Sequence, residues 1–192
     1  MNSLERMTRV LRGERPDRVP FVPSIYEHGA AVIGVTPTQA SQDPDLMARA
    51  AVDSFRAYGH DLITVGIDIY NIEAEAFGCP IRRFSDRAIP AVEAHPLSGM
   101  QRLDPRGLKV PREGEGGNRL GLIVEACRKV MKELAGETVV YACMGGPFSQ
   151  AVELRGFDEF VMDIVQDPGP VRELLERTTE LSVAHALRLS ET

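Results

Sequence analysis

No stretch of this chain stays apolar for the length that a bilayer crossing needs, and the N-terminal MNSLERMTRVLRGERPDR is no signal peptide. A cytoplasmic protein with no membrane partner is the expectation. Positive charge is also scarce: the net charge is −6, and the basic residues are scattered rather than gathered into a stripe. Nucleic acid is therefore not an expected partner. The three cysteines, Cys79, Cys127 and Cys143, have no CxxC spacing, which argues against a disulfide framework and a structural zinc site. No spaced set of His and Cys ligands exists, so this chain alone is expected to hold no metal. A Gly-rich phosphate loop, a nucleophile elbow, an HExxH zinc motif and internal repeats are all missing.

What is present suits a single domain with a real core: 192 residues, 43% hydrophobic and 26% charged. The organising stretch is HDLITVGIDIYNIEAEAFGCP, from His60 to Pro80. Leu62, Ile63, Val65 and Ile67 predict a buried strand over 61–67, interrupted at Gly66. Asp68 follows, then Tyr70, Asn71 and a short helical pattern from Ile72 to Phe77, stopped by Gly78. An acid at the end of a buried strand is where α/β proteins place chemistry. The structural alternative is that Asp68 merely caps the helix after it.

The remaining elements fall on either side. Ser3 is placed to cap a first helix with Leu4, Met7, Val10 and Leu11 on its apolar face, ended by Gly13. Val19 to Val22 reads as a short strand between prolines, and the loop SIYEHG leads into a small-residue helix from Gly29 to Ile33. Asp43-Pro44 opens a helix with Met47, Ala51, Phe55 and Tyr58 on one face, stopped by Gly59. Residues 79–118 are irregular, with a short β excursion around Ile89, Val92 and Leu97 and a flexible surface loop over 99–118. The best amphipathic helix carries Leu120, Ile123, Val124, Cys127, Val130, Met131 and Leu134, which makes Cys127 a packing residue. Thr138 to Met144 predicts a second buried strand, broken by Gly145-Gly146-Pro147. Helices follow over FSQAVELRG and FDEFVMDIVQ, and a last one opens at Asp167-Pro168 with Val171, Leu174, Leu175, Thr178 and Leu181 inward. His185 near that face reads as a packed side chain.

Strands alternating with helices imply an α/β architecture with parallel strands and helices outside. The three strand ends would then share one rim, which gathers Tyr26, Glu27, His28, Asp68, Tyr70, Glu73 and the Gly145-Gly146-Pro147 backbone. Glycines let a ligand approach the main chain, and free N–H groups at a helix start suit an anionic group. Glu27-His28 beside Tyr26 is a candidate acid/base group, or else an exposed loop.

The pieces LERMTRVLRGERPDRVPFVP, YGHDLITVGIDIYNIEAEAFGCPI, YACMGGPFSQAVELRG and DPGPVRELLERTTE resemble the N-terminal half of the uroporphyrinogen decarboxylase superfamily, over nearly the whole chain. That superfamily includes methylcobamide:coenzyme M methyltransferases. The resemblance implies a TIM-type barrel, with Asp68 on the family's strand-end aspartate and Gly145-Gly146-Pro147 on its Gly-x-Pro turn. True uroporphyrinogen decarboxylases carry an arginine-rich Met-Arg-Gln-Ala-Gly-Arg loop after the first strand. Here that loop is SIYEHGA, with no arginine, and Val152 and Glu153 stand near the family's substrate tyrosine. Acidic loops suit a polycarboxylate poorly. The resemblance therefore points to the methyltransferase branch, in which zinc holds a thiolate while a methyl group passes to or from a corrinoid (cobamide). The family's His-x-Cys and later Cys ligands belong to the second half of the barrel, and Cys79, Cys127 and Cys143 do not match them.

An eight-unit barrel takes about 250 residues. The expectation is thus a partial barrel, one domain over 1–192, whose corrinoid and zinc belong to a complete system. Asp68 is the expected catalytic residue. Tyr26, Glu27, His28, Asp68, Tyr70, Gly145, Gly146 and Pro147 are the expected substrate- or corrinoid-binding set. Expected partners are a small molecule or a corrinoid protein, together with a second copy or a chain supplying the other half, because open strand edges favour association. The alternatives are a non-catalytic binding or assembly module and a fragment of a tetrapyrrole decarboxylase-like enzyme.

Overall fold

The computed structural model describes all residues from Met1 to Thr192. Its centre is a parallel pair of strands, β1 (Leu62–Val65) and β4 (Val139–Ala142), in the register Leu62 with Val139 through Val65 with Ala142. Residues opposed in a parallel register point to the same face. Ile63 and Val65 are fully buried, and Val140 and Ala142 beside them pack against the same core. The helices α4 (Pro44–Tyr58) and α6 (Leu120–Glu133) cover that face with Met47, Val52, Ile123, Cys127 and Val130. Burying each of these large side chains contributes roughly 1.5–3 kcal/mol. The other face, carrying Leu62, Thr64, Val139 and Tyr141, is less covered: the first three are half-buried and Tyr141 is 52% exposed. The sheet does not close, and the chain is a partial TIM-type barrel.

The local chemistry of α4 is as expected. Asp43 accepts hydrogen bonds from the N–H groups of Asp45 and Leu46, Pro44 occupies the first helical position, and Gly59 closes the helix at φ +60°. The expected apolar faces are narrower than read, because Val10, Leu11, Tyr58 and Met131 find no element to pack on and are exposed. Two further expectations need correction. Helix α1 (Ser3–Leu11) is capped by Asn2 rather than Ser3: Asn2 accepts from Glu5 N–H at 2.8 Å while the Glu5 carboxylate accepts from Asn2 N–H at 3.0 Å. This reciprocal pair needs an acceptor three residues ahead of an acid, which Asn2 and Glu5 supply, and it leaves the Ser3 hydroxyl to donate elsewhere. The expected strand over 19–22 is extended chain without a ladder. Its one backbone hydrogen bond runs from Asp61 N–H to the Phe21 carbonyl, at 2.7 Å. Pro20 and Pro23 remove the donors that would continue the pairing.

Between the parallel strands, α5 (Ile72–Ala76) leads to a two-residue antiparallel pairing of β2 (Ile81–Arg82) with β3 (Ala91–Val92). Val92 belongs to this β excursion. Leu97 instead anchors the chain to Leu154 through a backbone bond of 2.9 Å. The 99–118 segment turns twice in 3-10 geometry, at Pro105–Gly107 and Glu115–Gly117, and Leu103 within it is 3% exposed. After β4 come α7 (Pro147–Arg155), α8 (Phe157–Gln166) and α9 (Pro168–Ser190). Gly146 precedes α7 in extended conformation and Pro147 is its first residue. Asp167 stands at the start of α9 without capping it, and its carboxylate pairs with Arg102 at 2.8 Å. None of the helices is long and apolar enough to cross a membrane.

Candidate functional site

The rim forms where β1 and β4 end beside the 24–29 loop. Tyr26 holds φ at +36°, and this backbone swings its phenol across to the β4 end, 3.7 Å from the Cys143 sulfur. The Tyr26 ring also meets Tyr70 edge to face, with centroids 6.3 Å apart. Hydrogen bonding to Cys143, together with burial, pushes the Tyr26 phenol up to about 12. It is therefore a neutral hydroxyl near pH 7. Glu27 reaches the neighbouring loop, accepting from the Asp68 N–H at 3.3 Å. Thus Tyr26, Glu27, Asp68 and Tyr70 are brought together. His28 is not among them: its Nε2 lies 2.8 Å from the Tyr58 hydroxyl at the end of α4, on the outer side.

Asp68 is fully buried and sits at φ +61°, a left-handed conformation that Asp tolerates better than most residues. Its carboxylate does not cap α5. It accepts instead from Asn71 Nδ2 and from Arg119 Nη2, the latter at 2.8 Å. Arg119 also donates to Glu75 and to the Ser41 carbonyl. Burial raises the Asp68 carboxyl above the usual carboxylate range, against the opposing pull of Arg119 and Asn71. Sequence reasoning missed Arg119. It stands 51 positions from Asp68, immediately before the apolar repeat of α6, and no local pattern marks it.

The Gly145-Gly146-Pro147 turn is held from below. Glu73 Oε1 accepts from Gly145 N–H at 2.9 Å, and Gln150 Nε2 donates to the Gly145 carbonyl at 2.6 Å. A Cβ at Gly145 would come within 3.2 Å of the second Glu73 oxygen, so this glycine makes room for Glu73. A Cβ at Gly146 would meet nothing within 4 Å, so the open approach to the main chain lies there.

The cysteines behave as packed thiols. Burial pushes Cys79 up to about 12 and Cys127 up to about 11, which keeps both protonated near pH 7. Nowhere do three or more His, Cys, Asp or Glu side chains gather as metal ligands would. The residues present do not fit a zinc ion. The rim offers two tyrosine hydroxyls, the carboxylates of Glu27 and of the buried Asp68, and an open peptide, which suits binding and orienting a polar ligand.

The uroporphyrinogen decarboxylase (URO-D) family model matches residues 2–192. The chain belongs to that family. It is similar to the methylcobamide:CoM methyltransferase MtbA of Methanosarcina acetivorans, 30% identical over 190 residues, covering 97% of this chain and 54% of that protein. The methylcobamide:CoM methyltransferase MtaA of Methanosarcina barkeri is 25% identical over the same shares. Among solved structures, a methyltransferase from Methanosarcina mazei superposes with a TM-score of 0.85 at 23% identity, covering 100% of this chain and 56% of that one. This family member therefore spans about half the length of the curated relatives it matches.

Proposed function

We propose that the chain is the N-terminal half of a corrinoid-linked methyl-transfer barrel, with its rim as part of the binding surface for the corrinoid or the small-molecule partner. The observation that carries this reading is the 24–29 loop. It meets the other two strand ends with Tyr26 and Glu27 and contributes no arginine. A multiply carboxylated tetrapyrrole needs cations at that place, because unpaired like charges in a closed site are costly. The names of the methylcobamide:CoM methyltransferase relatives support the same branch.

In this reading Tyr26 and Tyr70 contact the ligand, Glu27 fixes the Asp68 peptide, and the Gly146-Pro147 turn lets the ligand approach the main chain. Asp68 is a positioning residue, because Arg119 and Asn71 occupy its carboxylate. His28 lies outside the contact set. Zinc in the complete system would hold a thiolate substrate, and its ligands come from outside these residues. The less covered face of β1 and β4 expects further strands, supplied by another chain or by a second copy. Light scattering at micromolar concentration should therefore show an associated species. A stable monomer would count against that part of the reading.

The test pairs this chain with the C-terminal half of a methylcobamide:CoM methyltransferase and titrates methylcobalamin, followed by its absorbance. Corrinoid binding that weakens in Tyr26→Phe/Tyr70→Phe, with no loss of carboxylate from uroporphyrinogen, is the expected result. Decarboxylation of uroporphyrinogen would overturn the reading in favour of a tetrapyrrole lyase. Assembly without any corrinoid binding would leave a non-catalytic assembly module.

A further inference from the structure

Beside the rim, the 109–113 tract and the C-terminal half of α9 line a half-open cavity of about 580 Å³ that reaches Leu120 at the start of α6. That volume lies in the range of small-molecule sites. Four cationic side chains line it, Lys109, Arg112, Arg177 and Arg188, against two carboxylates, Glu113 and Glu180. The wall is thus positive in a chain whose net charge is −6. Two of the cations are already engaged. Arg188 pairs with Glu113 at 3.0 Å and with Glu191, and Arg177 donates to Glu173 at 3.0 Å and to the Leu108 carbonyl at 2.9 Å. Lys109 and Arg112 take part in no ion pair.

A second observation is independent of charge. His185 lines the cavity, is only 4% exposed, and has no hydrogen-bond partner on either ring nitrogen. Its nearest acid is Glu73, with Nδ1 to Oε1 at 3.6 Å. The Nε of Arg177 is likewise buried without a partner. Folded proteins leave few buried polar groups unpaired, since each forfeits its hydration without return. Here both stand just behind the cavity wall, out of reach of a water molecule, and add a polar backing to it; the two free cations, Lys109 and Arg112, are what call for an acceptor-rich occupant. Leu120, Leu181 and Ala184 supply apolar wall next to them.

We propose that this cavity binds a small organic oxyanion, a carboxylate or phosphate ester with a short apolar body. The anionic head sits among Lys109, Arg112 and Arg177 with His185 beside it, and the body packs on Leu120 and Leu181. This site adjoins the rim through Glu73 and Arg119 but is lined by other residues, and it does not rest on the methyl-transfer reading.

The experiment titrates the full chain with hexanoate, hexyl phosphate and 1-hexanol by calorimetry at low salt, and follows the histidine ring resonances by NMR. The chain has four histidines, and of these His185 alone lines the cavity, so His28, His60 and His95 are internal controls. At least one anion should bind about tenfold more tightly than 1-hexanol, a difference of about 1.4 kcal/mol. The His185 resonances should move while the other three stay. Lys109→Met/Arg112→Met should weaken the anion about tenfold without changing the melting temperature, because both side chains are exposed and unpaired. The tighter of the two anions separates a carboxylate source from a phosphate-ester source. The proposal is overturned if neither anion binds, if 1-hexanol binds as well as the anions, if His185 does not respond, or if the double variant binds unchanged.

Discussion

Two aspartates stand at opposite ends of β1, Asp61 just before Leu62 and Asp68 a short way beyond Val65, and both are fully buried. Asp61 collects donors from the whole N-terminal segment: Ser3 Oγ at 3.1 Å, Arg6 Nη1, Arg18 at 2.6 and 3.0 Å, and the Phe21 N–H at 2.8 Å. Asp68 has Arg119 and Asn71. Burial by itself raises a carboxyl. At Asp61 the Phe21 N–H and the Arg18, Arg6 and Ser3 side chains outweigh it and hold the group below the usual range, whereas Asp68 stays above it. The difference lies in how many donors point at each carboxylate. Asp61 is a clasp that fastens α1 and the 17–21 segment under the sheet. Asp68 keeps a raised proton affinity and a left-handed backbone at the rim. Barrels divide their strand ends in the same way, stability at the N-terminal ends and chemistry at the C-terminal ends.

The largest expected effect breaks the clasp. Asp61→Asn takes the buried carboxylate away from Arg6 and Arg18 and should destabilise the fold by about 3 kcal/mol in urea titration, the low end for a broken buried pair because Arg18 is half exposed and Arg6 keeps Asp17 at 2.7 Å. The two aspartates should also respond oppositely to acid. A depressed carboxyl such as Asp61 stabilises the fold above its unfolded pKa, about 3.9, and that contribution is lost as pH falls through the folded value. A raised carboxyl such as Asp68 favours the fold at acidic pH, and its contribution fades as pH rises through the folded value. Urea midpoints measured from about pH 3 to 7 should therefore fall less steeply in acid for Asp61→Asn and more steeply for Asp68→Asn than for the parent chain. Equal slopes would erase the distinction drawn between them.

Next in size is the rim pair. Arg119→Met should cost about 2 kcal/mol, less than the clasp, because Asp68 can take up a proton once its cation is gone. The double variant Asp68→Asn/Arg119→Met should recover at least about 1 kcal/mol of the summed single losses. Strict additivity would show that the pair is not coupled.

Asn2→Ala removes the cap of the helix that delivers Ser3 and Arg6 to Asp61, and should cost about 1 kcal/mol. In an Asp61→Asn background the same change should cost no more than that. A larger loss there would mean that α1 is held mainly by its other contacts. The smallest effect is expected at the rim surface. Tyr26→Phe removes only a 3.7 Å contact with sulfur and should change stability by less than about 0.5 kcal/mol. A spectrophotometric alkaline titration should then lose the tyrosine that ionises at about 12.

Much of the fold was legible in local pattern. The apolar repeat of α6, the Asp43-Pro44 start and Gly59 stop of α4, and the apolar runs of β1 and β4 all depend on which residues lie three, four or two apart, and the folded chain uses them with two exceptions: Met131 is exposed, and β4 is half-buried with Tyr141 facing out. The one strand that failed, 19–22, carries the right apolar residues but two prolines that take away its ladder donors. The candidate site was legible as a set of strand ends and not as a set of contacts. Tyr26, Glu27, Asp68 and Tyr70 meet there, whereas His28, one residue from Glu27, turns outward to Tyr58.

The sequence by itself determined most of each helical face, the places of β1 and β4, the Gly145-Gly146-Pro147 break and the family to which they belong, because each is written in short-range spacing or in the order of motifs. Only the tertiary structure decided that Asp68 would be answered by Arg119, that Asp61 would draw in Ser3, Arg6 and Arg18, and that His185 would lie unpaired beside a cationic cavity. An apolar period fixes which side of an element faces inward. A buried charge is settled by whatever donors the folded path brings within hydrogen-bond reach, and here all of those donors except Asn71 come from 40 or more positions away along the chain.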